Sequence, residues 1–273
     1  MATITSTTSG NWNATGTWAG GAVPHDTNDD VVIDNGHTVT LTGADSCKSL
    51  TVNTGGIYDG DGNILTVAGE SAAGWAIRFN NGQISGTDSD FTITTTTTTS
   101  IDLVCASGNA RNLVINHADA DVHYSDHTTL LGNFTITAGE FTCSNSAGTF
   151  TVNGDVSVTG TLTGGDATIS MGSLTIASGG TYSATSATTT IKGNASSASN
   201  FAWANSGTFT HNSGTVLFDG TNTFGGSSYG HINPATNTFN NLTINADSKY
   251  IQLRENGTTL TVAGDLTLTD GTL

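Results

Sequence analysis

The sequence predicts an all-β chain wound as a single-stranded, right-handed parallel β-helix. Three observations carry that expectation. A short phrase, apolar-Thr-apolar followed by a small or polar residue and Gly, keeps returning: Leu50-Thr51-Val52, Leu65-Thr66-Val67, Phe134-Thr135-Ile136, Phe150-Thr151-Val152, Leu174-Thr175-Ile176 and Leu260-Thr261-Val262. Recurrence without an intervening helix marks a repeat architecture, and stacked repeats build scaffolds more often than pockets. The composition agrees. Of 273 residues, 35 are Gly and only 2 Pro, and charged residues are 10%, against roughly 25% in ordinary domains. Low charge with ample apolar content disfavours disorder. Thr, being β-branched, suits strands. Tandem β-sandwiches are the alternative fold.

Along the chain, residues 1–45 read as a Trp/Gly-rich capping or attachment unit. Trp12 and Trp18 sit in a Gly-rich frame, followed by Val31-Val32-Ile33, Asn35-Gly36 and His37-Thr38-Val39-Thr40-Leu41. That end reads as strand, Asn-Gly turn, strand. The Trp pair is expected to close the first layer of a solenoid, whose open end would leave backbone and apolar side chains bare. Residues 46–273 read as the solenoid itself. Spacings between phrases suggest a period of about 15 to 24 residues. Roughly 12 to 15 coils stacked at ~4.8 Å would give a stiff rod on the order of 60–70 Å long. Inward apolar positions alternate with outward Thr.

A longer copy supports the repeat: Asn112-Leu113-Val114-Ile115-Asn116 matches Asn241-Leu242-Thr243-Ile244-Asn245. The block Gly207–Gly220 reads as strand, Asn/Ser-Gly turn, strand. Ser71 to Phe79 is the nearest thing to a helix, but its Ala-Ile-Arg-Phe alternation favours a strand. The run Thr94 to Thr99 is expected to be extended. The last residues, to Leu273, stop in mid-pattern, so the chain is expected to continue in a longer protein.

Charge and cysteine content exclude several roles. The formal net charge is −16, with six Lys plus Arg, which repels nucleic acid and anionic membranes. No segment reaches the ~20 apolar residues of a membrane helix, and the N-terminus lacks the basic and apolar regions of a secretory signal. Cys47, Cys105 and Cys143 are odd in number and widely spaced, and read as buried thiols.

Two groups carry ligand-type side chains. Asp59, Asp61 and Asn63, with Glu70 at the twelfth position, imitate a calcium loop. Ile64 stands where that loop requires Gly, so a tight turn is the competing reading. His117, Asp119, Asp121 and His123 fall on one face of an extended segment and would suit a transition metal, or a solvated polar edge. No cofactor is expected beyond a structural calcium or other divalent ion. For catalysis, clustered carboxylates on one solenoid face would be needed. Glu70, Glu140 and Glu255 are the only Glu, and Asp155, Asp166, Asp219 and Asp265 read as turn residues. Among aromatics, Trp75, Phe79, Trp203, Tyr229 and Tyr250 could stack on sugars or pack internally.

The opening Gly10-Asn11-Trp12-Asn13, Gly16-Thr17-Trp18, Gly20-Gly21-Ala22-Val23-Pro24 and Asn35-Gly36-His37-Thr38-Val39 resembles the start of repeat-rich structural proteins of tailed bacteriophages. Large bacterial surface adhesins share similar phrases. Phe209 to Gly220 and Phe239-Asn240-Asn241-Leu242-Thr243-Ile244 resemble their β-solenoid repeats. The resemblance implies a non-enzymatic virion component, a tail fibre or tail-associated rod presenting a host-binding region. It implies assembly in the host cytoplasm, contact with other virion proteins, a homo-oligomer (a trimer before others) and a host surface glycan as ligand. A glycan-degrading tail spike and a secreted adhesin are the alternatives. No active-site motif carries over.

Overall fold

A computed structural model describes residues 2–124, 126–143, 148–198, 201–233, 238–254 and 259–272. The chain is a parallel β-solenoid of about 10 turns. Among the described residues helix is confined to two 3₁₀ turns, Thr15–Thr17 and Ala19–Gly21. Two compact units are formed, Met1–Leu131 with Ala138–Phe141, and Gly132–Thr137 with Thr142–Leu273.

In the first unit a complete turn, such as residues 30–47, lays down three short strands, one per face. The first face stacks Thr3–Thr5, Asp30–Ile33, Ser49–Val52, Trp75–Phe79, Thr98–Asp102 and 121–124. The second stacks Gly10–Asn11, Thr38–Thr40, Ile57–Asp59 and Gln83–Ser85. The third stacks Asp45–Cys47, Ile64–Val67, Asp90–Ile93 and 112–115. The second unit also has three faces, numbered within that unit alone, and its second face stacks Thr161–Thr163, Thr181–Ser183 and Thr208–Thr210. Its first face runs through 134–136, 155–158, 173–176, Phe201–Asn205, Tyr229–Asn233 and 250–253. Its third face runs through 149–152, 168–171, Thr188–Ile191, Thr215–Phe218, 241–244 and 266–268. Every one of these ladders is parallel, which distinguishes the fold from tandem sandwiches of antiparallel hairpins.

The alternation expected from the phrase holds. Leu50, Val52, Leu65, Val67, Phe134, Ile136, Leu174 and Ile176 are fully buried, while the Thr between them faces outward. Each such side chain is worth about 1.5–3 kcal/mol on burial. The period is longer than the phrase spacing suggests. Leu50 and Leu65 lie on different faces of one turn: Leu50 stacks on Val31 and Ile77, Leu65 on Phe91. Register neighbours in adjacent turns, from Asp155 with Ser173 to Phe201 with His231, are 18 to 30 residues apart. Longer turns make fewer of them, hence about 10 rather than 12 to 15.

The expected strand-turn-strand segments are turn corners. Asp30–Ile33 and Thr38–Thr40 flank Asn35-Gly36 but pair with other turns, not with each other. His211–Gly214 is likewise a corner, with Asn212 and Ser213 at positive φ. The Thr run is extended only from Thr98. Before that it bends, because the Thr97 N–H donates to the Thr95 hydroxyl at 3.3 Å, a local bond that competes with the ladder. Residues 1–45 contain the first strands of the first and second faces and reach the start of the third, Asp45–Cys47. Trp12 and Trp18 are buried edge-to-face, with ring centroids 5.3 Å apart. The Trp12 indole donates to Pro24 O at 2.9 Å, and that of Trp18 to Trp12 O at 2.6 Å.

The Gly in the phrase has a steric cause. At the corner between first and second faces, Gly180 passes so close to the preceding turn that a Cβ there would stand 2.2 Å from Val158 O. Gly179 beside it has φ +86 but open space around it. Gly180→Ala is therefore expected to cost at least about 1–3 kcal/mol, whereas Gly179→Asn, a residue that tolerates the left-handed region, should cost less than ~1 kcal/mol by chemical denaturation. The core offers a second contrast. The Tyr182 hydroxyl bonds Thr189 Oγ1 at 2.7 Å, while the enclosed Tyr58 hydroxyl has no partner among the described residues. Tyr182→Phe should destabilise by about 1 kcal/mol, and Tyr58→Phe should leave stability unchanged or raise it by up to about 1 kcal/mol, measured in the same unfolding assay.

Candidate functional site

The strand Asn112–Tyr124 holds the densest set of metal-ligand side chains, and it bends. Residues 112–115 pair with Asp90–Ile93 on the third face, whereas 121–124 pair with 98–101 on the first. Between them the chain turns a corner, so the alternation does not keep all four residues in one row. His117 and Asp119 sit at the corner, with Nδ1 to Oδ2 at 3.9 Å and the Asp119 N–H donating to His117 Nδ1 at 3.2 Å. Asp121 and His123 sit on the first face, with Oδ1 to Nε2 at 3.0 Å. Asp121 also accepts from the Thr98 hydroxyl on the adjacent turn at 2.9 Å. Two His–Asp pairs result. Among the described residues no three such side chains converge.

Asp59, Asp61 and Asn63 form the corner between second and third faces. Asp61 and Gly62 have positive φ. Asp59 Oδ1 accepts the Asp61 N–H at 3.2 Å, and the Asn63 amide donates to Leu41 O at 2.7 Å and Asp61 O at 3.1 Å. These oxygens and amides hold the turn itself.

Carboxylates elsewhere fasten neighbouring turns. Asp90 accepts from Arg111 through both oxygens, at 2.8 and 2.5 Å, and from the Asn112 amide at 3.0 Å. Asp155 accepts from Ser173 at 2.7 Å and Asn194 at 3.0 Å. Asp30 takes Ser49 at 2.7 Å and Lys48 at 3.4 Å. Asp219 caps its own turn through Thr221. Glu255 lies outside the described residues.

The first unit carries a concavity of about 530 Å³ along the corner between third and first faces. Asn28, Lys48, Glu70, Ser71, Thr95 and Thr97 are among its walls. It opens there because the corner at Lys48 is a single residue while the next turn spends Ala68–Gly74 on the same bend. Among the described residues lining it, Glu70 is the sole carboxylate.

The aromatic candidates separate by burial. Phe79 and Trp203 are core residues. Trp75 is half-buried, with the Arg78 guanidinium 5.2 Å from its ring. Tyr229 and Tyr250 are exposed and stacked, their centroids 5.0 Å apart at 20°. The neighbours Phe201, His231 and Arg254 were not singled out in the sequence. Placing them together requires knowing that turns of unequal length stack Phe201 on His231 and Tyr229 on Tyr250.

The three thiols are inert by environment. Burial pushes Cys105 up to about 12, with the Asp102 charge adding to it, and pushes Cys47 and Cys143 higher still. At a pKa near 12 only about 10⁻⁴ of a thiol is thiolate at pH 8. The native chain should react slowly with a disulfide reagent, Cys105 first, and take up three equivalents only when unfolded.

The chain matches no protein-family model, no curated protein and no solved structure.

Proposed function

We propose that this chain is a non-enzymatic structural component of a phage virion, a tail fibre or tail-associated element that presents a host-binding region. The observation that carries this reading is the packed interior of each unit. Inward positions are filled turn after turn by Val, Ile, Leu and aromatic side chains, as in the Trp203–Phe209–Phe239 cluster with centroids 4.9 to 5.5 Å apart. Such a core resists local opening and proteolysis, which suits a part exposed outside a cell. The resemblance of the Gly10–Val39 phrases to tailed-phage structural proteins supports the same role. Association with other virion proteins and with further copies of itself, as a trimer, belongs to this proposal.

A glycan-degrading spike would place two carboxylates roughly 5 to 10 Å apart on one face. The concavity offers Glu70 with Lys48, and Lys48 is held by Asp30, an arrangement better suited to fixing a corner than to protonating a leaving group. A secreted adhesin shares the architecture and differs in location. Mass spectrometry of purified virions separates the three. Peptides of this chain in stoichiometric amounts in particles, with no release of reducing sugar from host polysaccharide, are expected. Their absence from particles, or sugar release abolished by Glu70→Gln, would overturn the proposal.

A further inference from the structure

The later part of the first face of the second unit, beyond Asp155, departs from the rest of this acidic chain. Its three neighbouring strands read Phe-Ala-Trp-Ala-Asn (201–205), Tyr-Gly-His-Ile-Asn (229–233) and Tyr-Ile-Gln-Leu-Arg (250–254), without one carboxylate. The chain carries 22 Asp plus Glu against 6 Lys plus Arg, and the first face of the first unit bears Asp30, Asp102 and Asp121.

The outward side chains form two adjoining columns. Tyr229 is in register with Tyr250, and both are more than 40% exposed, at 43% and 42%. Phe201 is in register with His231, and His231 with Gln252. A register shift between Phe201 and Trp203 accompanies the inward Trp203 and outward Phe201. The Phe201 and His231 rings meet edge-on at 6.1 Å, and the Arg254 guanidinium lies 5.0 Å from the Phe201 centroid. Columns two residues apart on strands ~4.8 Å apart define a patch of about 10 by 7 Å.

We propose that this face binds an acidic saccharide, with sugar C–H surface against the Tyr229–Tyr250 column, ring hydroxyls bonded by the tyrosine hydroxyls and Gln252, and a carboxylate paired to Arg254. The chemistry selects among ligands. A purely apolar partner would strip water from the guanidinium and the phenols without replacing their hydrogen bonds. A polyphosphate, whose charges are spaced more closely than the one carboxylate per ring of an acidic saccharide, would be repelled more strongly by a chain at −16. Burial, together with Arg254, lowers the His231 pKa, so near neutral pH Arg254 supplies the positive charge of the patch. The inference gives a ligand to the presenting role proposed above and takes from that reading only the biological source of the sugar.

The test is titration of the intact chain with tetragalacturonate, with an α2,8-linked sialic acid tetramer and with maltotetraose, followed by calorimetry and saturation-transfer NMR. At least one acidic tetramer should bind with a Kd on the order of 0.1–1 mM, at least tenfold tighter than maltotetraose. Arg254→Gln should remove that preference, and Tyr229→Ala or Tyr250→Ala should weaken binding at least tenfold with an unchanged melting curve. No binding of either acidic tetramer, equal binding of the neutral one, or wild-type titration by the variants overturns the proposal. So does sedimentation showing that the same variants abolish self-association, which would make the face a contact between copies. None of these outcomes depends on whether the chain is found in virions.

Discussion

The structure depends on parallel backbone pairing between one turn and the next. A parallel ladder fixes register residue against residue, and period-two alternation then decides for each face which side chains enter the interior. Val31, Leu50 and Ile77 stack in one file because Asp30–Ile33, Ser49–Val52 and Trp75–Phe79 pair in that register. A slip of one residue in a strand would turn that strand's own inward side chains, such as Leu50 and Val52, toward water. At about 1.5–3 kcal/mol for each side chain, the core enforces the register as strongly as the hydrogen bonds do.

Polar residues secure what the ladders leave open. A corner breaks the pairing, and its backbone groups need partners. Asp90 with Arg111 and Asn112, and Asp155 with Ser173 and Asn194, supply bonds from one turn to the next at these points. Much of the carboxylate content thus has a mechanical explanation. The acidic surface is also the background against which three aromatic, carboxylate-free strands of the second unit stand out.

The strands and their inward residues were legible in the sequence because apolar-Thr-apolar has one physical meaning on any face. The length of a turn was not legible, because the phrase reads alike on all three faces. Phe134 and Phe150 both begin it, yet one lies on the first face and the other on the third. The longer match was a better guide: Asn112–Tyr124 and Asn241–Leu253 are both strands that begin on one face and round a corner to the next. The same corner explains the ligand candidates. Alternation aligns His117 through His123 only on a straight strand, and Ala120 is turned inward between the two pairs. The aromatic face was half legible. Tyr229 and Tyr250 were visible as candidates, but Arg254 over Phe201 spans turns of unequal length, which only register reveals.

Turns range in length from 18 to 30 residues, yet the ladders keep step, so the surplus is confined to the bends. In the bend Ala68–Gly74 the ends, Ala68, Gly69 and Gly74, still bond the neighbouring turns, and Glu70 to Ala73 between them belong to no ladder. Foreign sequence spliced there would ride outside the pairing, and a lineage could exchange such appendages without rebuilding the column beneath them.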